Sequence, residues 1–141
     1  MKRQLAQVQE FHEVFGAHIE HRPTARLPRE LIEMRATLIE EELTEYREAS
    51  RKGDIVEIAD ALTDLLYVVL GTFITHGLQE AAVDLFDEVH RSNMSKLDEN
   101  GRAIFREDGK VLKSSAYFPP DLASILARYG DPSEEARERT Q

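Results

Sequence analysis

The chain contains no cysteine. This excludes a disulfide framework, a zinc–thiolate site and a thiol nucleophile. It also lacks a long hydrophobic run. The longest, residues 65–74, is interrupted by Gly71 and Thr72 and is about half the length a membrane-spanning helix needs. Positive charge is scarce, with 18 Lys+Arg against 27 Asp+Glu and a formal net charge of −9. Non-specific nucleic-acid binding needs a basic patch, so nucleic acid is not an expected partner. Met1-Lys2-Arg3-Gln4 leads into mixed polar sequence with no apolar signal region. The expectation is a cytoplasmic protein with no membrane partner. No strand–elbow–helix motif supports Ser-His-Asp chemistry. No histidine has a glutamate three residues before it, which sets aside the Glu-x-x-His helices of a di-iron carboxylate bundle. Internal repeats and low-complexity segments are also missing.

What is present suits one compact, helix-rich domain: 141 residues, 41% hydrophobic and 32% charged. Residues 3–21 read as a helix with Leu5, Val8, Phe11, Val14 (or Phe15) and His18 on one face. His12, His18 and His21 are then partly exposed histidines rather than ligands. Pro23 marks a loop, and Pro28 fits the first turn of a second helix that runs to Lys52 and stops at Gly53. Asp54 caps a third helix reaching His76 and Gly77, and a fourth covers residues 78–97. The connections are short, so consecutive helices should lie antiparallel. Asp108-Gly109 between short alternating runs signals a hairpin, and Asp121 caps a short helix over residues 122–129. The expected architecture is all-α: an antiparallel four-helix bundle with a small C-terminal hairpin and short helix. The domain spans residues 1–130, followed by a polar, flexible tail, residues 131–141.

Carboxylates interrupt the helical pattern. At roughly 100° per residue, Leu31, Leu38, Ile39, Tyr46 and Ala49 share one arc of the second helix. Glu42 and Glu45 fall inside that arc, Glu41 at its edge, and Glu40 points away. On the third helix, Ile55, Ile58, Ala59, Leu62, Leu66, Val69, Leu70 and Phe73 form a broad apolar face, with Glu57, Asp60 and Asp64 on the other side. From Tyr67 onward that helix is apolar nearly all round and should be buried on both sides. The stripe of the fourth helix (Leu78, Ala82, Leu85, Phe86, Val89) is continued by Ser92, Asn93 and Lys96. The second and third helices meet at Gly53, so the acids face one another across one gap. Grouped half-buried carboxylates cost several kcal/mol per ion unless compensated. Arg47, Arg51 and Lys52 fall mostly on other arcs, leaving a hard divalent cation with oxygen ligands as the compensating charge. A solvated acidic face explains any one of these residues, but not their joint placement on two adjacent helices.

The pattern Glu41-Glu42-x-x-Glu45, followed by an acidic stretch ending in Asp64-Leu-Leu-Tyr-Val-Val, resembles the all-α nucleotide pyrophosphohydrolases. These comprise the MazG-like proteins, the dimeric dUTPases and the phosphoribosyl-ATP pyrophosphohydrolases. Glu88 to Lys96, Asp108-Gly-Lys-Val-Leu-Lys113 and Phe118-Pro-Pro-Asp-Leu are similar to a MazG-like subgroup that includes dUTP-cleaving enzymes. The resemblance implies a helical bundle assembled as a homodimer or a homotetramer. It implies two or more Mg2+ or Mn2+ ions, and cleavage between the α- and β-phosphates of a nucleotide to give a monophosphate and pyrophosphate. Glu42, Glu45 and Asp64 match metal ligands, and Glu41 a metal-linked or water-activating acid. Asn93, Lys96, Lys110 and Lys113 match positions that meet phosphate or sugar. The usual second motif is Glu-x-x-Asp. Ending it at Asp64 puts Ala61 where a glutamate should be. Ending it at Asp60 gives Glu57-Ile-Ala-Asp60, one turn earlier, so Glu57 and Asp60 join the candidate ligands. dUTP is the favoured substrate on this resemblance. The alternatives are a phosphoribosyl-ATP pyrophosphohydrolase-like enzyme and a non-catalytic acidic helical interaction module.

Overall fold

The computed structural model describes residues 1–130. The tail expected over residues 131–141 lies outside them. Five helices are present: α1 (Lys2–Phe15), α2 (Arg29–Lys52), α3 (Ile55–Thr75), α4 (Ala82–Met94) and α5 (Leu122–Ala127). Among the described residues the only β pairing is the antiparallel bridge Phe105–Val111, so the all-α class holds. The bridge closes the hairpin turned by Asp108-Gly109, where Gly109 takes a φ of 82°.

The described residues divide into two compact units. Met1–Glu80 carries α1, α2 and α3, while Ala81–Tyr129 carries α4, the hairpin and α5. The expected fourth bundle helix therefore belongs to the second unit. It is also shorter than expected, because residues 79–81 form a turn and only Ala82 begins the helix.

In the first unit, the joint between α2 and α3 is built as the sequence dictates. Gly53 adopts a φ of 70° and its N–H bonds to the Ala49 carbonyl. The Asp54 side chain accepts from the N–H groups of Val56 (2.9 Å) and Glu57 (3.2 Å). Such a cap is worth about 1 kcal/mol. The two helices run antiparallel and touch through small residues, with Ala49 and Ala61 both buried.

α1 ends earlier than expected. Gly16 takes a left-handed φ of 73°, and the chain leaves the helix there. Its buried face is Leu5, Val8 and His12, whereas Phe11, Val14 and Phe15 are exposed. His12 is thus not a partly exposed surface histidine but a core one, 3% exposed. His18 and His21 remain exposed.

α3 differs as well. It is 21 residues long and apolar enough to cross a membrane by length and composition alone. Its packing explains part of that character. The buried positions are Ala61, Leu70, Gly71, Ile74 and Thr75. The broad apolar face expected to form the core is rotated outward at its N-terminal half, where Ile55 is 73% exposed and Leu62 and Leu66 are also exposed. Small side chains on the other side let α1 and α2 approach closely, and that contact decides the orientation.

The second unit is held by polar bonds. Glu88 accepts two bonds from the Arg91 guanidinium, both 2.7 Å, and one from the Asp121 N–H at 2.7 Å. These hold its carboxyl at a pKa of about 2. The Ser92 hydroxyl donates to the Phe118 carbonyl at 2.9 Å, and Arg91 lies 4.3 Å over the Phe118 ring. Tyr129 donates to Asp84 at 2.9 Å.

Candidate active site

The α2–α3 pair brings two sets of acids together. Glu42 is half-buried on α2 and its Oε2 atom is shut off from solvent with no hydrogen-bond partner. Its proton affinity is raised, first by burial, then by the charges of Glu45, Asp64, Glu41 and Asp60. Four of the other five predicted acids thus act on this one carboxylate. An ionised carboxylate oxygen left buried and unpaired costs about 1–3 kcal/mol.

Glu57, the sixth, is engaged elsewhere. Its carboxylate accepts from Lys52 Nζ at 2.8 Å across the joint. Lys52, Glu57, Glu45, Glu48, Ala49, Asp60 and Ala61 line a half-open cleft of about 270 Å³. Lys52, expected on another arc, faces the acids, because it follows Glu45 by two turns and lies about 20° from it round the helix. Glu57 raises its pKa by hydrogen bond and charge. A second groove, of about 360 Å³, is lined by Thr37, Glu40, Glu41, Thr44, Glu45 and Glu48. Glu40, expected to point away, lines this outer groove with Glu41, and Glu45 borders both.

Ala61 is buried 3% exposed in the helix contact. A glutamate there would have to enter that contact. The register Glu57-Ile-Ala-Asp60 instead places both of its acids at the cleft.

Hard oxygen donors gathered around an unpaired buried carboxylate suit a divalent cation such as magnesium. Their side chains are not drawn in around one: among the described residues no three acids or histidines form a metal-holding group. Glu57 is turned to Lys52, and Glu42 stands apart with a bare oxygen.

Two buried groups below the acids were not foreseen. Arg35, on the same arc as Glu42 and two turns from it, is 7% exposed. Its Nη2 donates to the Val68 carbonyl at 2.6 Å and its Nε to the Thr72 hydroxyl at 3.1 Å. His12 donates through Nδ1 to the His18 carbonyl at 2.9 Å. A Cβ at Gly71 would lie 2.6 Å from Arg35 Nη2 and 2.9 Å from His12 Nε2, so glycine makes room for both. Burial lowers the pKa of each.

The residues matched to phosphate or sugar contacts lie in the second unit. Lys96 Nζ donates to Asn93 Oδ1 at 2.7 Å. Lys113 Nζ sits 4.3 Å over the Tyr117 ring. Lys110 is exposed on the hairpin, where its N–H donates to Asp108.

An all-helical chain with acids paired across an α2–α3 joint defines the class of the all-α, MazG-like nucleotide pyrophosphohydrolases. Within that class, the family model for phosphoribosyl-ATP pyrophosphohydrolase matches residues 8–93, and the chain belongs to this family. The protein is accordingly placed among pyrophosphohydrolases, enzymes that hydrolyse phosphoric anhydrides. The match contains all six acids and ends at Asn93, before Lys96, Lys110 and Lys113. A comparison with curated proteins gives no significant match.

Proposed function

We propose that the protein hydrolyses the α–β phosphoanhydride of a nucleotide, releasing pyrophosphate and a 5′-monophosphate product, with Mg2+ or Mn2+ held by its α2–α3 acids. The observation that carries this is Glu42: a buried, unpaired carboxylate oxygen under the influence of four other acids, in a chain of this family. Glu42, Glu45, Glu57, Asp60 and Asp64 would hold two or more ions. A bound divalent ion lowers the pKa of water and stabilises negative charge on phosphoryl oxygens. Glu41 and Glu42 orient the attacking water and take its proton. The water oxygen forms a bond to the α-phosphorus, and the bond from that phosphorus to the bridging oxygen breaks. Pyrophosphate leaves with the bridging electrons. Asn93, Lys96, Lys110 and Lys113 are proposed contacts to phosphate or sugar.

Two substrates compete. The MazG-like motifs favour dUTP. The family match favours phosphoribosyl-ATP at least as strongly. The exposed apolar residues of α3, Ile55, Val56, Leu62 and Leu66, support a homodimer or homotetramer. The test is pyrophosphate release from NTPs, dNTPs and phosphoribosyl-ATP, with magnesium, manganese or chelator. Metal-dependent release from one or a few substrates is expected. No release from any of them refutes the proposal and leaves an acidic helical interaction module.

A further inference from the structure

We propose that Lys52 is an exchangeable counter-ion of this cleft, paired with Glu57 while the acids hold no metal and turned to the substrate's polyphosphate once they do. The proposal rests on the pyrophosphohydrolase reading above and deepens it. Lys52 is the last residue of α2, and Gly53 and Asp54 fix the backbone beyond it. That joint sets the ammonium opposite Glu57 at 2.8 Å. Among the residues lining the cleft, which include Glu45, Glu48, Glu57 and Asp60, Lys52 alone is cationic.

The pair is built to part. The side chains are 61% and 47% exposed. Exposed pairs of this kind are weak, because solvent screens them and two long side chains must be held still. A divalent ion competes for Glu57 with twice the charge. The displaced ammonium stays at the rim, since only its flexible four-carbon stem moves. An entering polyphosphate then presents the negative charge it lost. Lys96 and Lys113 already have partners in the second unit, Asn93 and the Tyr117 ring. Both lie beyond the matched residues, whereas Lys52 lies within them.

The test compares Lys52→Gln with Arg51→Gln in the full chain. Arg51 carries the same charge one residue away and does not line the cleft. Mn2+ affinity is measured by electron paramagnetic resonance on metal-free protein. Pyrophosphate affinity is then measured by calorimetry at saturating Mn2+. Lys52→Gln should tighten Mn2+ by roughly two- to fivefold, the factor an exposed ion pair is worth. It should weaken pyrophosphate by about tenfold, in the range of one lost charge-assisted contact. Arg51→Gln should do neither. Unchanged Mn2+ affinity in Lys52→Gln, equal tightening in Arg51→Gln, or unchanged pyrophosphate affinity overturns the proposal. Wild-type protein that binds no Mn2+ overturns the pyrophosphohydrolase reading itself, a separate result from the others.

Discussion

Replacing Glu42 with glutamine should strengthen the metal-free fold and at the same time abolish turnover. The side chain keeps its shape and loses its charge. Its Oε2 is buried without a donor, and Glu45, Asp64, Glu41 and Asp60 all oppose a charge there. Glutamine leaves an uncharged amide in the same place, so what is relieved is the like-charge repulsion and the charge-dependent part of the burial cost. The side chain is partly exposed and solvent screens it, so the gain is about 1 kcal/mol. For a chain of this size that raises the melting temperature by roughly 3–5 °C.

Metal reverses the order. An ion that binds only the folded state at a hundred times its dissociation constant adds about 2.7 kcal/mol. Wild type should gain that in magnesium, and Glu42→Gln only a fraction of it. The two melting temperatures therefore cross between chelator and magnesium. pH gives a second check with a definite sign. The pKa of Glu42 is raised in the folded state above its usual 4.5. Its protonated form therefore stabilises the metal-free fold at low pH, and that contribution is lost as pH rises through the folded value. The stability gap between Glu42→Gln and wild type should then widen with rising pH in chelator. The assay is thermal unfolding by circular dichroism in chelator and in magnesium, beside pyrophosphate release. A lower melting temperature for Glu42→Gln in chelator, or an equal magnesium response, would refute the placement of this carboxylate.

Acid should loosen the helix contact at His12. Burial lowers its pKa below 6.5, with a bond to the His18 carbonyl opposing the shift and the charges of Arg35 and His18 adding to it. The unfolded chain then takes up the proton first, so the contribution of His12 is complete above pH 6.5 and falls as pH drops through the folded value. In urea melts from pH 8 to 5, His12→Gln should lose part of the wild-type slope, and an identical slope refutes this. Gly71→Ala should destabilise by up to about 2 kcal/mol, because overpacking against Arg35 and His12 costs about 1–3 kcal/mol and the better helix propensity of alanine offsets about 1 kcal/mol of it. A more stable Gly71→Ala would show that the Arg35 side chain gives way.

The legible parts of the fold were those fixed locally. Gly53 and Asp54 mark the α2–α3 joint by their own chemistry, and the structure uses both as caps. Asp108-Gly109 marked its hairpin in the same way. α1 was overextended because His18 continued the helical spacing, although Gly16 was the stop signal. His12 also had a signal: with Leu5 and Val8 it repeats at helical core spacing. Arg35 had a weaker one, a charge in the stripe between Leu31 and Leu38. Its partners, Val68 and Thr72, lie more than thirty residues away and are invisible to local pattern. The face of α3 was misjudged because hydrophobicity was weighed above size. Gly71, Thr75 and Ala61 were chosen for contact, and the larger Ile55, Leu62 and Leu66 were left outside. The acids were legible because they broke a pattern; the lysine opposite Glu57 was legible too and was misplaced, since it lies two turns after Glu45 and shares its arc at about 100° per residue.

How a pair of helices tolerates this much like charge follows from where it is clamped. At one end, the Gly53 and Asp54 caps fix the turn that joins α2 to α3. At the other, Arg35 ties α2 to the backbone of α3 at Val68, and Gly71 admits Arg35 and His12 together. Ala49 and Ala61 close the contact beside the acids. Repulsion among Glu41, Glu42, Glu45, Asp60 and Asp64 therefore acts on a segment fixed on both sides. Side chains can turn outward, but the helices cannot part without breaking a clamp. That arrangement keeps the acids of both helices on one fixed segment, with Glu42 Oε2 left unpaired within it. A variant that loosened the far clamp, Gly71→Ala included, should accordingly weaken Mn2+ binding although it touches no acid. If metal affinity survives loss of that clamp, the joint at Gly53 alone is enough to hold the acids in place.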